Sequence, residues 1–196
     1  MPKIVDHDAR RAEIVDALWR VVERDGANAV SVRSVAAEAG MSKTGMAHYF
    51  SSGNELLAVA VERTIAEVSE QAAHFDVDTL DPKRAAQAIA LLIPSGAKRR
   101  QRALVWLALL SAATHDDDAR KVLDELNRTT RNGILTVVEA LKANGFVAKH
   151  RNVATEAALL HGLVDGLSIQ TLTDPRFMPG KEIDALVLNQ LKQLAN

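Results

Sequence analysis

Apolar residues recur at three- and four-residue spacing along almost the whole chain. No run alternates apolar and polar residues between hairpin turns. The first period belongs to the α-helix and the missing one to the half-buried strand, so the spacing predicts an all-α fold. Glycines, prolines and capping residues divide it into about nine helices. The first runs from about His7 to Asp25, with Ile14, Val15, Leu18 and Val22 on its apolar side and Gly26 as a left-handed C-cap. Ser31 caps a short helix from Val32 to Ala39, and Gly40 ends it. Ser42 caps another short helix, to about Phe50. Ser52 and Glu55 have capping-box spacing, which starts a long helix to about Ala73. Asp76 to Asp81 reads as a loop, and Asp81-Pro82 starts the fifth helix, which ends before Pro94. The sixth covers about Lys98 to Thr114, and the seventh opens on Asp116-Asp117-Asp118 and closes at Asn144-Gly145. The eighth runs from about Asn152 to Thr173, the ninth from about Pro179 to Leu194.

Several function classes fall away. The chain has no cysteine, which removes thiol catalysis, disulfides and cysteine-ligated zinc. The longest uncharged apolar stretch, Ala103 to about Thr114, is too short to span a bilayer. Asp6, Asp8, Arg10 and Arg11 stand where an export signal needs an apolar run, so a cytoplasmic protein is expected. No HExxH, phosphate-binding loop, GxGxxG or GxSxG occurs, so neither an enzyme nor a cofactor is expected. His115-Asp116-Asp117-Asp118 reads as a helix start complementing the dipole rather than as a metal site. The run Lys98-Arg99-Arg100-Gln101-Arg102 reads as a solvated face, with DNA phosphates as the other use.

The functional signal lies at the front. Between Ser31 and Phe50 two short helices meet at a turn around Gly40, which tolerates positive φ. Val35 and Ala36 face inward from the first; Met46 and Phe50 anchor the second. That leaves Lys43, Thr44, Ala47 and His48 on the outer side. Such a unit sets a short helix on a rigid platform, able to enter a DNA major groove. Bulk charge does not advertise it: 24 basic against 25 acidic residues give a net charge of −1. The segment from Met1 to Leu57 is also net −1, with seven basic and eight acidic residues, so its cations must be sorted onto one face.

Residues 10 to 57 resemble the DNA-binding region of the TetR family of bacterial transcriptional regulators. The matching pieces are Arg11, Ile14, Gly26, Ser31-Val32-Arg33, Val35-Ala36, Ala39-Gly40-Met41-Ser42, His48-Tyr49-Phe50 and Glu55-Leu56-Leu57. The resemblance implies a helix-turn-helix domain over residues 1–52 and a ligand-binding and dimerisation domain over 53–196. It implies DNA contacts from Ser31, Arg33, Ser42, Lys43, Thr44, Gly45, His48 and Tyr49. Arg33 opens a helix whose N–H groups also favour phosphate. Lys43 suits guanine or phosphate, and the Thr44 methyl suits thymine. Gly45 would let the backbone approach closely. Tyr49, the single tyrosine, reads as a phosphate contact, an anchor for the fourth helix, or both. The chain departs from the family at Ala47, usually an aromatic packed on the DNA backbone, and at Gly53, usually a lysine on a phosphate.

The eighth helix is apolar nearly all round, so it needs cover on all sides: its own core on one, a second subunit on the other. With the ninth it is expected to form a four-helix homodimer interface. Leu163 to Leu167 with Thr173-Asp174-Pro175 resemble the C-terminal region of the choline-responsive repressors. Gly162 and Gly166 read as sites of close helix packing. The middle helices are expected to hold an effector near Phe75, Trp106, Leu110, Leu135, His161 and Asp165. His161 and Asp165 share a face, as ligand groups or as a satisfied pair at the dimer interface. Phe75, Trp106, Phe146 and Phe177 are too few rings for an ammonium cage, so a mostly apolar small molecule is expected. The expected protein is thus a regulator, more a repressor than an activator, that binds a palindromic operator on double-stranded DNA as a homodimer and is released by that molecule. The other reading is a helical interaction scaffold that has lost sequence-specific DNA binding.

Overall fold

The computed structural model describes residues 7–174, 176 and 180–196. Among them are nine α-helices and no strand. They are α1 His7–Asp25, α2 Val32–Glu38, α3 Lys43–Ala47, α4 Gly53–Ala72, α5 Pro82–Ala90, α6 Ala97–Ala112, α7 Asp117–Ala143, α8 Val153–Thr173 and α9 Gly180–Gln193. The all-α expectation holds, with α3 shorter than expected. The Tyr49 and Phe50 amides still bond back to the Met46 carbonyl, at 2.9 and 3.0 Å, but the chain then leaves the helical path. Phe177 and the expected ninth-helix start at Pro179 lie outside the described residues.

The chain forms two compact units. The first comprises Met1–Thr64 and Leu104–Asp124, the second Ile65–Ala103 and Glu125–Asn196. In the first, α1 packs on α2 and α2 on α3. Ile14, Leu18, Val21, Val35, Met46, Phe50, Leu56 and Leu109 are buried there. Ser31 caps α2 as expected, its hydroxyl accepting from the Ser34 amide at 3.0 Å. Gly40 turns the chain out of α2 at φ 64°.

In the second unit, buried Leu80, Ile89, Ile93, Ile134, Val138, Leu141, Leu160, Val164, Val187 and Leu191 form one core. Asp81 and Asn152 cap α5 and α8 through the amides of Arg84 and Thr155. The basic run at the start of α6 is the solvated face expected only at Lys98, which is 72% exposed. Arg99 donates to the Ala90 carbonyl at the end of α5, at 2.7 Å. Arg100 donates to the Thr171 and Leu172 carbonyls, at 3.4 and 3.1 Å, where α8 leaves its last C=O groups without helical partners. Lys98 and Arg102 both pair with Glu67 of α4, and the Arg102 side chain is only 9% exposed. Four cations that read as a charged surface fasten the ends of α5 and α8 and the side of α4. Burial pushes the Glu67 carboxyl up, but Lys98 and Arg102 outweigh it and hold it below its ordinary value.

On α8 the expected two-sidedness is visible. Leu160, Val164 and Leu167 are buried, whereas Leu159 is 60% and Ile169 42% exposed. Among the described residues Gly162 and Gly166 serve no close packing, because a Cβ at either would meet nothing within 4 Å.

Arg102→Ala leaves Glu67 with a weaker set of partners and should lower the unfolding free energy by about 1–3 kcal/mol in urea titration. DNA binding by the folded variant should keep its dependence on salt. Glu67 is depressed in the fold, so its stabilisation is present above the unfolded carboxyl pKa and is lost as pH falls through the lower folded value. Glu67→Gln should remove that part of the acid dependence.

Candidate nucleic-acid interface

The candidate reading surface is built on a helix of five residues. Ser42 supplies its start: the hydroxyl accepts from the Gly45 amide at 3.0 Å. Met46 and Phe50 supply its floor, both buried in the first unit. With those side chains turned inward, the helical period turns Lys43, Thr44 and His48 outward, and all three are exposed, as are Ser31 and Arg33 on the preceding turn and helix. Gly45 is half-buried, and a Cβ there would come within 3.2 Å of the Ser42 hydroxyl, so its small size protects the cap. Tyr49 is half-buried. Its ring lies 5.7 Å from that of His7 at a 40° tilt, a neighbour that sequence spacing had not singled out.

Charge sorting resolves the deficit seen in the sequence. Arg10 pairs with Glu13, and Arg63 with Asp16. Arg20 and Arg24 converge on Glu38, at 2.8 and 2.7 Å, and Arg24 also holds Asp25 at 2.9 Å. Arg24 is raised by Asp25 and then Glu38, while Glu38 is lowered by Arg24 and then Arg20. Arg11 lies 4.7 Å above the Phe50 ring. Arg33 and Lys43 have no ion pair among the described residues. Both are exposed, so an almost neutral head keeps two cations that no ion pair among the described residues takes up.

The departure at Gly53 has a packing reason. A Cβ there would lie 3.0 Å from the Val30 carbonyl oxygen and 3.6 Å from the Ser31 Cα. The start of α4 runs too close to that backbone for a larger residue to enter without moving it. The turn into α4 is tied instead by Glu55, whose carboxylate accepts from the Ser51 amide and hydroxyl at 2.7 and 2.8 Å. The Ser52 hydroxyl accepts from the Glu55 amide, one half of the expected capping box. The Ser51 amide is the main reason the Glu55 carboxyl lies below its usual range.

The proposed effector residues divide between the units. Phe75 and Leu135 pack against the core of the second unit. His161 is buried in that unit, with its Nε2 3.8 Å from an oxygen of half-buried Asp165. Burial pushes the Asp165 carboxyl up, against the pull of His161. Trp106 and Leu110 are half-buried and belong to the first unit. Among the described residues, no three His, Cys, Asp or Glu side chains gather as a metal site would need. The acidic run before α7 works as a helix start, with Asp116 accepting from the Ala119 amide at 2.8 Å.

Residues 81–196 match the family described as BetI-type transcriptional repressor, C-terminal. Residues 14–60 match the bacterial regulatory proteins of the tetR family. The HTH-type transcriptional regulator PksA of Bacillus subtilis (strain 168) is 29% identical over 195 residues, covering 99% of this chain and 94% of that one. The HTH-type transcriptional regulator BetI of Rhizobium meliloti (strain 1021) is 28% identical over 142 residues, covering 72% of this chain and 70% of that one. A putative transcriptional regulator from Saccharomonospora viridis, solved in complex with choline, superposes with a TM-score of 0.79 at 22% identity over 93% of this chain and 95% of that one.

If the unpaired cations meet phosphate, Arg33→Ala and Lys43→Ala should each flatten log affinity against log salt by ~0.9 for every phosphate left unneutralised. Arg20→Ala, whose guanidinium is already taken up by Glu38, should leave that slope unchanged. Duplex titrations at several salt concentrations read both.

Proposed function

Because the chain belongs to the TetR family and carries the C-terminal region of its BetI-type repressors, we infer that it is a homodimeric repressor that grips a palindromic operator and lets go when a small molecule binds. The observation that carries this reading is the exposure of Arg33 on α2 and Lys43 on α3, neither ion-paired among the described residues. Ser31, Ser42, Thr44, Gly45, His48 and Tyr49 complete the DNA face. Phosphate contacts set register and affinity, while Lys43 and Thr44 on base edges set sequence choice. The work is cytoplasmic, where the operator is.

Dimerisation falls to α8 and α9. Leu159 and Ile169 on one, and Leu186 on the other, leave apolar surface that a single chain does not cover. Gly162 and Gly166, free of any steric demand from their own chain, allow a partner helix to come close. A palindromic operator requires of such an isologous pairing two reading helices one turn of DNA apart.

The effector is a mostly apolar molecule, with Phe75, Leu135, His161 and Asp165 of the second unit as its candidate contacts. The Saccharomonospora viridis protein was solved with choline. A quaternary ammonium needs aromatic faces around it. Phe146 is 37% exposed, which removes one of the few rings this chain has to offer. The effector acts only through its differential affinity for the DNA-bound and released states.

The test is selection of binding sites from a random duplex pool with the purified dimer, followed by titration of the winner at two salt concentrations. The expected winner is a palindrome with half-sites ~34–36 Å apart and an affinity that falls with salt. A folded dimer that enriches no sequence would replace the repressor with the scaffold reading.

A further inference from the structure

Asn54 stands in the first turn of α4, four residues after Phe50. Its Nδ2 donates to Oδ2 of Asp116 at 2.6 Å, across 62 residues of sequence. The other oxygen of that carboxylate is occupied too, accepting from the Ala119 amide at 2.8 Å as the cap of α7. Asp116 therefore serves two helices at once. The Ala119 amide first, and the Asn54 amide after it, hold its carboxyl below the ordinary range. Both residues lie in the first compact unit and both are half-buried.

The position of the bridge matters because of what it adjoins. From Phe50 to Asn54 the chain has little freedom: Phe50 is buried, Glu55 holds Ser51, and Gly53 abuts the Val30 carbonyl. Displacing the first turn of α4 must displace the residues that end the reading segment. The Asn54 amide needs no contact with DNA to have this effect.

We propose that Asn54 and Asp116 form a positioning pair, which sets the placement of α3 for operator recognition without touching the DNA. The inference rests on the operator reading above. Losing the bond lowers affinity by the fraction of molecules whose α3 keeps the placement that fits the operator; if about one in ten keeps it, affinity falls on the order of tenfold.

The test uses the full-length protein and the duplex selected for the wild type. Asn54→Ala removes the donor. Asp116→Ser keeps a good helix cap but removes the second oxygen. Both should weaken operator binding by on the order of tenfold, and the double variant should bind no worse than either single one. The slope against salt should stay that of the wild type, because every phosphate keeps its partner. Asn54→Asp alone sets two carboxylates together and should bind worst; adding Asp116→Asn restores a donor and an acceptor and should recover affinity. Circular dichroism and dimer mass confirm that each variant folds. A weakening by Asn54→Ala that Asp116→Ser does not share would make Asn54 a direct DNA contact and overturn the pair. Additive effects, failed recovery by the exchanged pair, or wild-type affinity in both single variants would overturn it as well. A wild type that enriches no duplex overturns the operator reading itself, and this inference with it.

Discussion

A helix of five residues cannot hold itself together in water, because nucleation costs more than so few hydrogen bonds return. The helix α3 is such a helix, and its shape comes from the rest of the head. Met46 and Phe50 tie it to the apolar interior, the Ser42 hydroxyl accepts from the otherwise free Gly45 amide, and Gly40 turns the chain toward it. The exposed residues follow from the buried ones, since turning one face of an α-helix inward fixes the direction of the others. The exposure of Lys43 and Thr44 is therefore a consequence of packing at Met46 and Phe50.

Electrostatics then decides what the exposed face can do. A head with net charge −1 would repel a phosphate backbone if its charges were spread evenly. They are not. Glu38 draws in Arg20 and Arg24, Asp16 draws in Arg63, and Arg33 and Lys43 stay exposed with no ion pair among the described residues. The same economy governs the second unit, where the basic start of α6 is consumed by the ends of α5 and α8 and by Glu67. Where helix ends leave carbonyls unpaired, guanidinium groups are the natural partners. In that run the arginines serve helix ends and a buried-side carboxylate rather than open surface.

The two ends of the chain also differ in what they leave unfinished. The head presents polar and cationic groups suited to a hydrated, charged duplex. The α8 surface presents Leu159 and Ile169 with glycines between them, suited to a dry contact with another apolar helix. Each unfinished surface is defined by the chemistry of what would complete it.

Much of this is legible in the residues alone. The α-helical period, the caps at Ser31, Ser42 and Asp81, the turn at Gly40 and the order of motifs from Arg11 to Leu57 are local features, and each states its structure within a few residues. Helix identity and the family likeness were therefore determined by the sequence itself. The tertiary structure alone decided the end of α3, the work of Lys98 to Arg102, the reason for Gly53 and the bond between Asn54 and Asp116. These depend on which atoms meet across tens of residues, and a periodic pattern carries no record of its distant neighbours. A hydrogen bond or a forbidden Cβ is a matter of tenths of an ångström, set only when the helices have packed.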